Sequence, residues 1–181
     1  MTIPTFETER LILRPFTAED VEPLHGIMNQ EGILQYFPGP GNPPIEKVEK
    51  FVAHQVKQWD EIGYAWWAVE LKETRRLLGW NGLQYLPETG ETEIGFLTDS
   101  GYWGLGLTTE AGRIGVLFAF ETVGIDELIA LAHPENRASQ RVIEKFGLRF
   151  VEETEYFGMA VRRFTLGAEV YAEAAAADSP G

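Results

Sequence analysis

The sequence predicts a single α/β (α+β) domain, in which a mixed and mostly antiparallel sheet of about seven strands packs with four helices. The order of the patterns supports this: a strand, two helices, three strands, a helix, a strand, a helix and two final strands. Short turns join the three central strands, which indicates an antiparallel meander. Only residues 91–133 have the strand–helix–strand layout that needs a parallel crossover.

The composition is that of a globular protein, with 44% hydrophobic and 24% charged residues in a chain of 181. The absence of cysteine excludes disulfides, thiolate metal sites and cysteine nucleophiles, and we expect no metal. We see neither a secretory leader nor an apolar run of about 18–20 residues, so we expect a cytoplasmic protein without a membrane partner. The net charge of −13 opposes nucleic-acid binding and favours a cationic partner such as an amine.

The first half of the chain begins with a strand at residues 10–16, which ends beside Pro15. Thr17 is predicted to cap the first helix, because Asp20 follows three residues later as in a capping box. Residues 36–44 carry four prolines and two glycines, which predict a rigid loop that forms a wall or a lid. A second helix is predicted at residues 45–62 from its apolar stripe.

The second half contains a helix at residues 107–123 that is apolar nearly all round and should therefore be buried. A later helix at residues 136–146 should end at Gly147, a typical C-terminal cap. We place the domain at residues 1–168 and predict a flexible tail at residues 169–181. The predicted strands of this half and of the central meander lie at residues 64–71, 76–85, 91–98, 127–133, 149–156 and 160–166.

The junction at residues 102–111, between a strand and the long apolar helix, is the most informative stretch of the chain. Gly104 and Gly106 allow close backbone approach to a ligand, and the helix behind them offers free N–H groups and a partial positive charge. A phosphate-bearing cofactor is therefore expected here. One alternative is a dinucleotide fingerprint, with Asp126 about 20 residues further on as ribose ligand. However, Thr109 replaces the third glycine, and the repeated strand–helix units of a Rossmann sheet are missing.

Three motifs occur together in an order and spacing typical of one known family. They are TERLILR at residues 8–14, EIGF at 93–96 with YWGLGLTTEA at 102–111, and HPENRAS at 133–139 with EKFGL at 144–148. In these motifs the chain resembles the GNAT-superfamily N-acetyltransferases, in particular the subgroup similar to ribosomal-protein N-terminal acetyltransferases. The resemblance runs from about residue 8 to residue 166. It implies acetyl-CoA as co-substrate and a sheet splayed between its fourth and fifth strands.

The resemblance also implies which residues hold coenzyme A. The backbone N–H groups of residues 105–109 would bind the pyrophosphate. Thr108, which stands where the family has Ala or Gly, would turn its side chain away. Backbone N–H groups near residues 96–98 would orient the pantetheine arm and polarise the thioester carbonyl. Asn136 would bind pantetheine or else cap its helix. The implied cofactor-binding residues are Phe96, Leu97, Thr98, Trp103, Gly104, Leu105, Gly106, Leu107, Thr108, Thr109, Asn136 and Ser139.

The chemistry implied by the resemblance is direct attack of a neutral amine on the acetyl thioester. Glu93 is the first candidate for the base, and the alternative is an exposed strand carboxylate without a role. If Glu93 is the base, its replacement by Gln should slow the reaction most at low pH, where neutral amine is scarce. His133 is the second candidate, since imidazole titrates at about pH 6.5, or else a residue of the helix cap. Ile143 replaces the tyrosine that much of the family uses beside the leaving thiolate. Ser139 is therefore implied as the thiolate partner, or else as a cap.

The acceptor site is the part that the sequence describes least. Trp66 and Trp67 are adjacent on a predicted strand and face opposite sides, so at most one of them can line a given pocket. The resemblance allows a protein N-terminal α-amine or a small-molecule amine as acceptor, and a monomer or a homodimer. A catalytically silent CoA-binding sensor or interaction module is the alternative function. The aromatic candidates, which core packing would explain equally well, are Tyr36, Phe37, Trp66, Trp67, Trp80 and Tyr85.

Overall fold

The computed structural model describes residues 3–177 of the chain. Within that range, one sheet of eight strands has helices packed on both faces. The strands are β1 (Phe6–Glu7), β2 (Leu11–Arg14), β3 (Trp66–Leu71), β4 (Leu77–Leu86), β5 (Glu91–Thr98), β6 (Glu127–Ala132), β7 (Arg149–Tyr156) and β8 (Met159–Gly167). The helices are α1 (Val21–Met28), α2 (Ile45–Glu61), α3 (Leu107–Leu117), α4 (Arg137–Lys145) and α5 (Ala168–Ala177).

The sheet has the strand order β1-β2-β3-β4-β5-β6-β8-β7, and every neighbouring pair is antiparallel except β5 and β6. This confirms the mixed, mostly antiparallel sheet and its single parallel crossover. Strands β5 and β6 are in register at two pairs, Thr92 with Leu128 and Glu93 with Ile129, and they separate beyond these pairs. The unpredicted strand β1 shifts the numbering by one, so the predicted fourth and fifth strands are β5 and β6 of the structure. The expected splay lies between these two strands.

Two elements were not predicted. Strand β1 has two residues, too few for an alternating pattern to show in the sequence. Helix α5 occupies residues 168–177, much of the segment that we predicted as a flexible tail from residue 169, and the flexibility of that tail stays a prediction. Tyr171 of α5 stacks on Phe120 with ring centroids 4.6 Å apart, and its hydroxyl donates to Glu121 at 2.7 Å. Residues 178–181 lie outside the described range, and the domain boundary at residue 168 stays a prediction.

Two apolar cores cover the two faces of the sheet. One core lies beneath α3 and α4 and contains Trp67, which is fully buried. The other lies beneath α1 and α2 and contains Trp80, with Trp66 packed at its edge. The adjacent residues Trp66 and Trp67 therefore face opposite sides of β3, as the alternation of a strand requires.

Polar contacts fix the start of α1 on the sheet. The predicted capping box is present between Thr17 and Asp20, at the short 3₁₀ turn that precedes α1. The Arg14 guanidinium donates to the Asp20 carboxylate at 2.7 and 2.8 Å and to the Glu70 carboxylate at 2.7 Å. These contacts tie α1 to β2 and β3, and so anchor the proline-rich loop that follows α1. None of the helices in residues 3–177 has the length and apolarity needed to cross a membrane.

Candidate active site

The gap between β5 and β6 exposes backbone groups that a continuous sheet would pair. The Asp99 N–H donates to the Leu78 carbonyl at 2.7 Å, which fixes the alternation of hydrogen bonds between β5 and β4. By that alternation, the N–H and C=O groups of Phe96 and Thr98 point toward the gap, whereas those of Leu97 point toward β4. Two of the three residues expected to orient pantetheine thus present backbone groups to the gap.

The loop that leads into α3 has the geometry of an anion site. Gly104 and Gly106 have φ angles of 77° and 78°, in the left-handed region that side chains rarely adopt. The Glu110 N–H makes the first hydrogen bond of the α3 ladder, to the Gly106 carbonyl at 3.0 Å. The N–H groups of residues 107–109 precede that bond, so they lack intrahelical acceptors and carry the positive end of the helix dipole. A pyrophosphate fits this arrangement.

Two side chains of the loop are fixed by Thr98 at the end of β5. The Thr108 and Thr98 hydroxyls are hydrogen-bonded at 2.8 Å, and the Trp103 indole N–H donates to the Thr98 carbonyl at 2.7 Å. Thr108, which stands in place of a smaller residue, is thus held against the strand, while its N–H remains part of the helix terminus.

Arg10 holds the same loop from behind, a role that the motif at residues 8–14 did not reveal. Its guanidinium donates to the Leu105 carbonyl at 3.0 Å and to the Glu110 carboxylate at 2.8 Å. That carboxylate also accepts hydrogen bonds from the Thr8 hydroxyl and the Arg10 backbone N–H. Arg10 is therefore a positioning residue for the loop.

Replacing Arg10 with alanine should weaken CoA binding about fivefold, because an ion pair at a largely exposed side chain is worth about 1 kcal/mol or less. Calorimetric titration with CoA measures the change. Lys57→Ala is the matched control, since Lys57 pairs with Glu61 at 3.1 Å on the exposed surface of α2. Equal affinities of the two variants would show that the loop does not depend on Arg10.

Two adjoining cavities open along the gap. The larger, of about 400 Å³, lies between the end of β5, the loop at residues 103–104 and the start of α4. The smaller, of about 260 Å³, extends from the gap to the β7–β8 hairpin. The two cavities adjoin, because five residues line both of them. The residues that line both cavities are Tyr36, Phe37, Phe96, Asn136 and Ser139.

Most residues predicted for the site lie on these walls. Leu105, Gly106, Leu107 and Thr109 line neither cavity. The Leu107 side chain packs in the core, where 4% of the residue is exposed. The predicted residues that line the larger cavity are Phe96, Leu97, Thr98, Trp103, Gly104, Thr108, Asn136 and Ser139, and those that line the smaller cavity include Glu93 and His133.

The aromatic residues considered for an acceptor site divide into two groups. Tyr36, Phe37 and Trp66 line the smaller cavity, where the proline-rich loop supplies the first two. Trp67 and Trp80 are buried in the two cores instead. Tyr85 is 40% exposed and lines neither cavity.

Glu93 lies where β5 and β6 separate, on the wall of the smaller cavity and opposite Gln84 of β4. Burial raises the pKa of Glu93 to about 8; a hydrogen bond from the Leu131 N–H opposes this increase, and the negative charge of Glu91 adds to it. A carboxyl group with this pKa is mostly protonated at pH 7 and suits proton transfer near neutral pH.

His133 lies beside the same cavity, but one of its ring nitrogens is already engaged. The Glu135 N–H donates to His133 Nδ1 at 3.2 Å, which assigns the proton of the neutral imidazole to Nε2. The ring stacks on Tyr36 with centroids 5.0 Å apart. Because Nδ1 already accepts a hydrogen bond and Nε2 carries the proton, the neutral ring has no free nitrogen to take a proton from the amine. The geometry therefore favours Glu93 over His133 as the base.

Asn136 and Ser139 begin α4 at the junction of the two cavities. Asn136 Oδ1 accepts a hydrogen bond from the Ser139 N–H at 3.1 Å, so the cap of α4 is Asn136. Ser139 contributes only its backbone to this cap. Its side chain lines both cavities and can therefore reach a ligand in either of them.

The β7–β8 hairpin closes the smaller cavity, which the sequence did not reveal. Tyr156, Phe157 and Met159 form this wall. The Tyr156 hydroxyl donates to the Glu91 carboxylate at 2.5 Å and ties the hairpin to β5. Because β8 inserts between β6 and β7, the turn of the hairpin lies against the gap, and no local pattern fixes that strand order.

Residues 10–149, well over half of the chain, match the family model of the acetyltransferase (GNAT) domain. The chain belongs to the GNAT acetyltransferase family. The general reaction of the family is transfer of an acetyl group to an amine. One curated GNAT relative is the uncharacterized N-acetyltransferase YoaA of Bacillus subtilis (strain 168), which is 26% identical over 147 residues, covering 81% of this chain and 83% of YoaA.

Solved acetyltransferases confirm the GNAT fold. The acetyltransferase from Agrobacterium tumefaciens str. C58 matches with a TM-score of 0.80 at 26% identity, covering 92% of this chain and 95% of its own. The ribosomal L7/L12 α-N-protein acetyltransferase RimL, solved in complex with coenzyme A, matches with a TM-score of 0.74 at 18% identity, covering 94% of this chain and 99% of RimL. The likeness to RimL is one of fold.

Proposed function

We propose that this chain is an acetyl-CoA-dependent N-acetyltransferase that transfers the acetyl group directly to a primary amine. The observation that best supports this proposal is the position of Glu93. Its partly buried carboxyl group lies in a cavity that adjoins the anion site at the loop of Gly104 and Gly106. Family membership supplies the reaction class. The geometry supports one site for each substrate, with Phe96, Asn136 and Ser139 between them.

The larger cavity is the proposed CoA site. The N–H groups of residues 107–109 would neutralise the pyrophosphate, because the helix dipole and free donors converge on that point. The gap-facing N–H and C=O groups of Phe96 and the N–H of Thr98 would hydrogen-bond the pantetheine amides and the thioester carbonyl, replacing the strand that β5 lacks on this side; the Thr98 carbonyl is already taken by the Trp103 indole.

Glu93 is the proposed base. A cationic amine bound beside it favours the carboxylate form of Glu93 and releases its extra proton to solvent. The neutral amine nitrogen then forms a bond to the acetyl carbon, the proton that it loses on bond formation passes to the Glu93 carboxylate, and the bond from the acetyl carbon to sulfur breaks. The Ser139 hydroxyl would donate a hydrogen bond to the departing thiolate, which takes its proton from solvent.

The acceptor is a primary amine, either a protein N-terminal α-amine or a small-molecule amine. The pKa of an α-amine is about 8 and that of a lysine side chain about 10.4. Near neutral pH a larger fraction of an α-amine is therefore already in the nucleophilic neutral form, so an acceptor of that kind depends less on the base than a lysine side chain does.

Release of free thiol from acetyl-CoA tests the proposal across a panel of amines and N-terminal peptides, with calorimetric CoA binding measured on the same sample. Binding with acceptor-dependent thiol release would support the enzyme. Binding without release from any acceptor would favour a catalytically silent CoA-binding module. Absence of CoA binding would contradict the cofactor assignment.

Ser139→Ala should lower kcat about tenfold and leave CoA affinity and the melting temperature nearly unchanged, because the cap of α4 uses the Ser139 N–H and not its hydroxyl. Asn136→Ala is the contrasting variant. Its loss of the cap should destabilise the fold by about 1 kcal/mol. Thermal melts and steady-state kinetics separate the two effects, and a wild-type kcat for Ser139→Ala would leave the hydroxyl without a catalytic role.

A further inference from the structure

The walls of the smaller cavity are mostly apolar. Aliphatic and aromatic side chains form most of them, among them Tyr36, Phe37, Trp66, Leu131, Met159 and Val161. Within the described part of the chain, Glu93 is the only carboxylate that lines this cavity. A bound amine would therefore find one anionic partner, surrounded by apolar surface.

Glu91, the carboxylate whose charge acts on Glu93, is already engaged. Glu91 accepts hydrogen bonds from the Tyr156 hydroxyl at 2.5 Å and from Arg163 Nη2 at 2.6 Å. Arg163 Nη2 also donates to Glu127 at 2.9 Å. A second ammonium on the substrate would find these two carboxylates outside the lining of the cavity and already engaged by Arg163 and the Tyr156 hydroxyl.

We propose that the acceptor is a monoamine with one apolar substituent, held with its nitrogen at Glu93 and its substituent between Trp66 and the β7–β8 hairpin. This inference rests on the proposed function and deepens it. A diamine, polyamine or aminoglycoside would leave a further cation unpaired against apolar walls, which costs binding free energy. The apolar substituent gains free energy from the same walls.

The apolar walls also assist the chemistry that the acceptor must undergo. Removing an ammonium from water disfavours its charged form and lowers its pKa, so the nucleophilic neutral amine becomes more abundant. Substituent binding remote from the reacting nitrogen supplies free energy that can orient the amine toward the thioester. A single carboxylate is sufficient for the attack, because the neutral amine loses one proton as it forms the amide.

Hexylamine and 1,6-diaminohexane form the decisive acceptor pair, since they share a chain length and differ by one ammonium group. Initial rates of thiol release give kcat/KM for each. We expect hexylamine to be favoured at least about tenfold, because the second ammonium is desolvated without a partner. Equal or higher kcat/KM for the diamine would overturn the inference while leaving the acetyltransferase intact. No thiol release from any amine would instead overturn the proposed function, and with it the inference.

A charge placed on the hairpin wall tests the same point from the protein side. Met159→Glu adds a second carboxylate to the cavity, and Met159→Gln is its neutral control of equal size. We expect the glutamate variant alone to shift the kcat/KM ratio toward the diamine by about tenfold. An unchanged ratio in the folded glutamate variant would contradict the placement of the substituent against the hairpin.

Peptides distinguish the two sources of such an amine. A peptide with N-terminal Phe should exceed one with N-terminal Lys in kcat/KM, for the reason that separates hexylamine from the diamine. If the Phe peptide also exceeds phenylethylamine, the source is a polypeptide N-terminus; if phenylethylamine is better, it is a small molecule. Preference for the Lys peptide would contradict the apolar site.

Discussion

Glu93→Gln should lower kcat/KM at least about 100-fold at pH 9, where the wild-type carboxylate is ionised, and much less at pH 6. The physical reason is the raised pKa of Glu93, about 8, which burial causes. At pH 6 only about one wild-type molecule in a hundred carries the ionised base, so the two proteins converge there. An ordinary strand carboxylate would give the opposite trend, with the largest loss at low pH, as the sequence alone led us to expect.

The measurement is kcat/KM for thiol release between pH 6 and 10, with an acceptor that stays neutral over that range. Such an acceptor removes the amine's own titration from the profile. The wild type should rise with a midpoint at about pH 8, whereas the variant should be flat. Glu88→Gln, in the exposed turn between β4 and β5, is the control and should keep the wild-type profile. Parallel profiles of Glu93→Gln and wild type would dismiss Glu93 as the base.

Thermal unfolding of the same variant provides an independent check of burial. Because the folded-state pKa of about 8 exceeds the ordinary glutamate value of 4.5, the folded protein holds a proton between these two pH values that the unfolded chain releases. Wild-type stability should therefore fall as pH rises through this window. Glutamine removes the titration, so the variant should melt at a higher temperature than wild type at pH 9, with a smaller difference at pH 5.

Gly106→Glu should weaken CoA binding at least about 100-fold, or about 2.7 kcal/mol. Gly106 has a φ of 78°, and a side chain in that conformation costs about 1–2 kcal/mol. A Cβ added there would lie 3.6 Å from Arg10 Nη2, so the new carboxylate would compete with Glu110 for the guanidinium that holds the loop. It would also bring a negative charge to the loop that would receive the pyrophosphate. Calorimetric titration with CoA measures the loss.

Gly124→Glu is the matched control for strain and charge. Gly124 has a φ of 74°, and a Cβ added there meets no heavy atom within 4 Å. Since Gly124 lies beyond α3 and lines neither cavity, this variant should bind CoA with wild-type affinity. If the two glutamate variants bound CoA equally well, the loop would not be the pyrophosphate site.

Much of the site's framework was predictable because it follows from neighbouring residues. Gly104 and Gly106 before an apolar helix specify a tight turn and a free helix terminus, whatever lies elsewhere in the chain. The alternation of Trp66 and Trp67 is equally local. The parallel crossover followed from a strand, a helix and a strand in sequence. The gap lies between the two strands that this crossover joins.

The chemistry inside the site was less predictable because it depends on long-range contacts. The sequence offered Glu93 either as the first candidate for the base or as an exposed carboxylate beside Glu91, and it could not show the burial that raises its pKa. The contact between His133 and Tyr36 joins segments about a hundred residues apart. No pattern near His133 indicates that Glu135 would engage its Nδ1. The role of Arg10 depends on Glu110 in the same way.

The divergence of β5 from β6 also makes the stability of the folded sheet depend on the concentration of a bound ligand. Two register pairs join the strands at one end, and the backbone groups beyond them are left for a bound molecule. A ligand that bridges them binds the folded chain and has no comparable site in the unfolded one. At 100 times its dissociation constant, such a ligand adds about 2.7 kcal/mol to the free energy of unfolding. The supply of co-substrate in the cell would then set the lifetime of this protein as well as its rate of turnover.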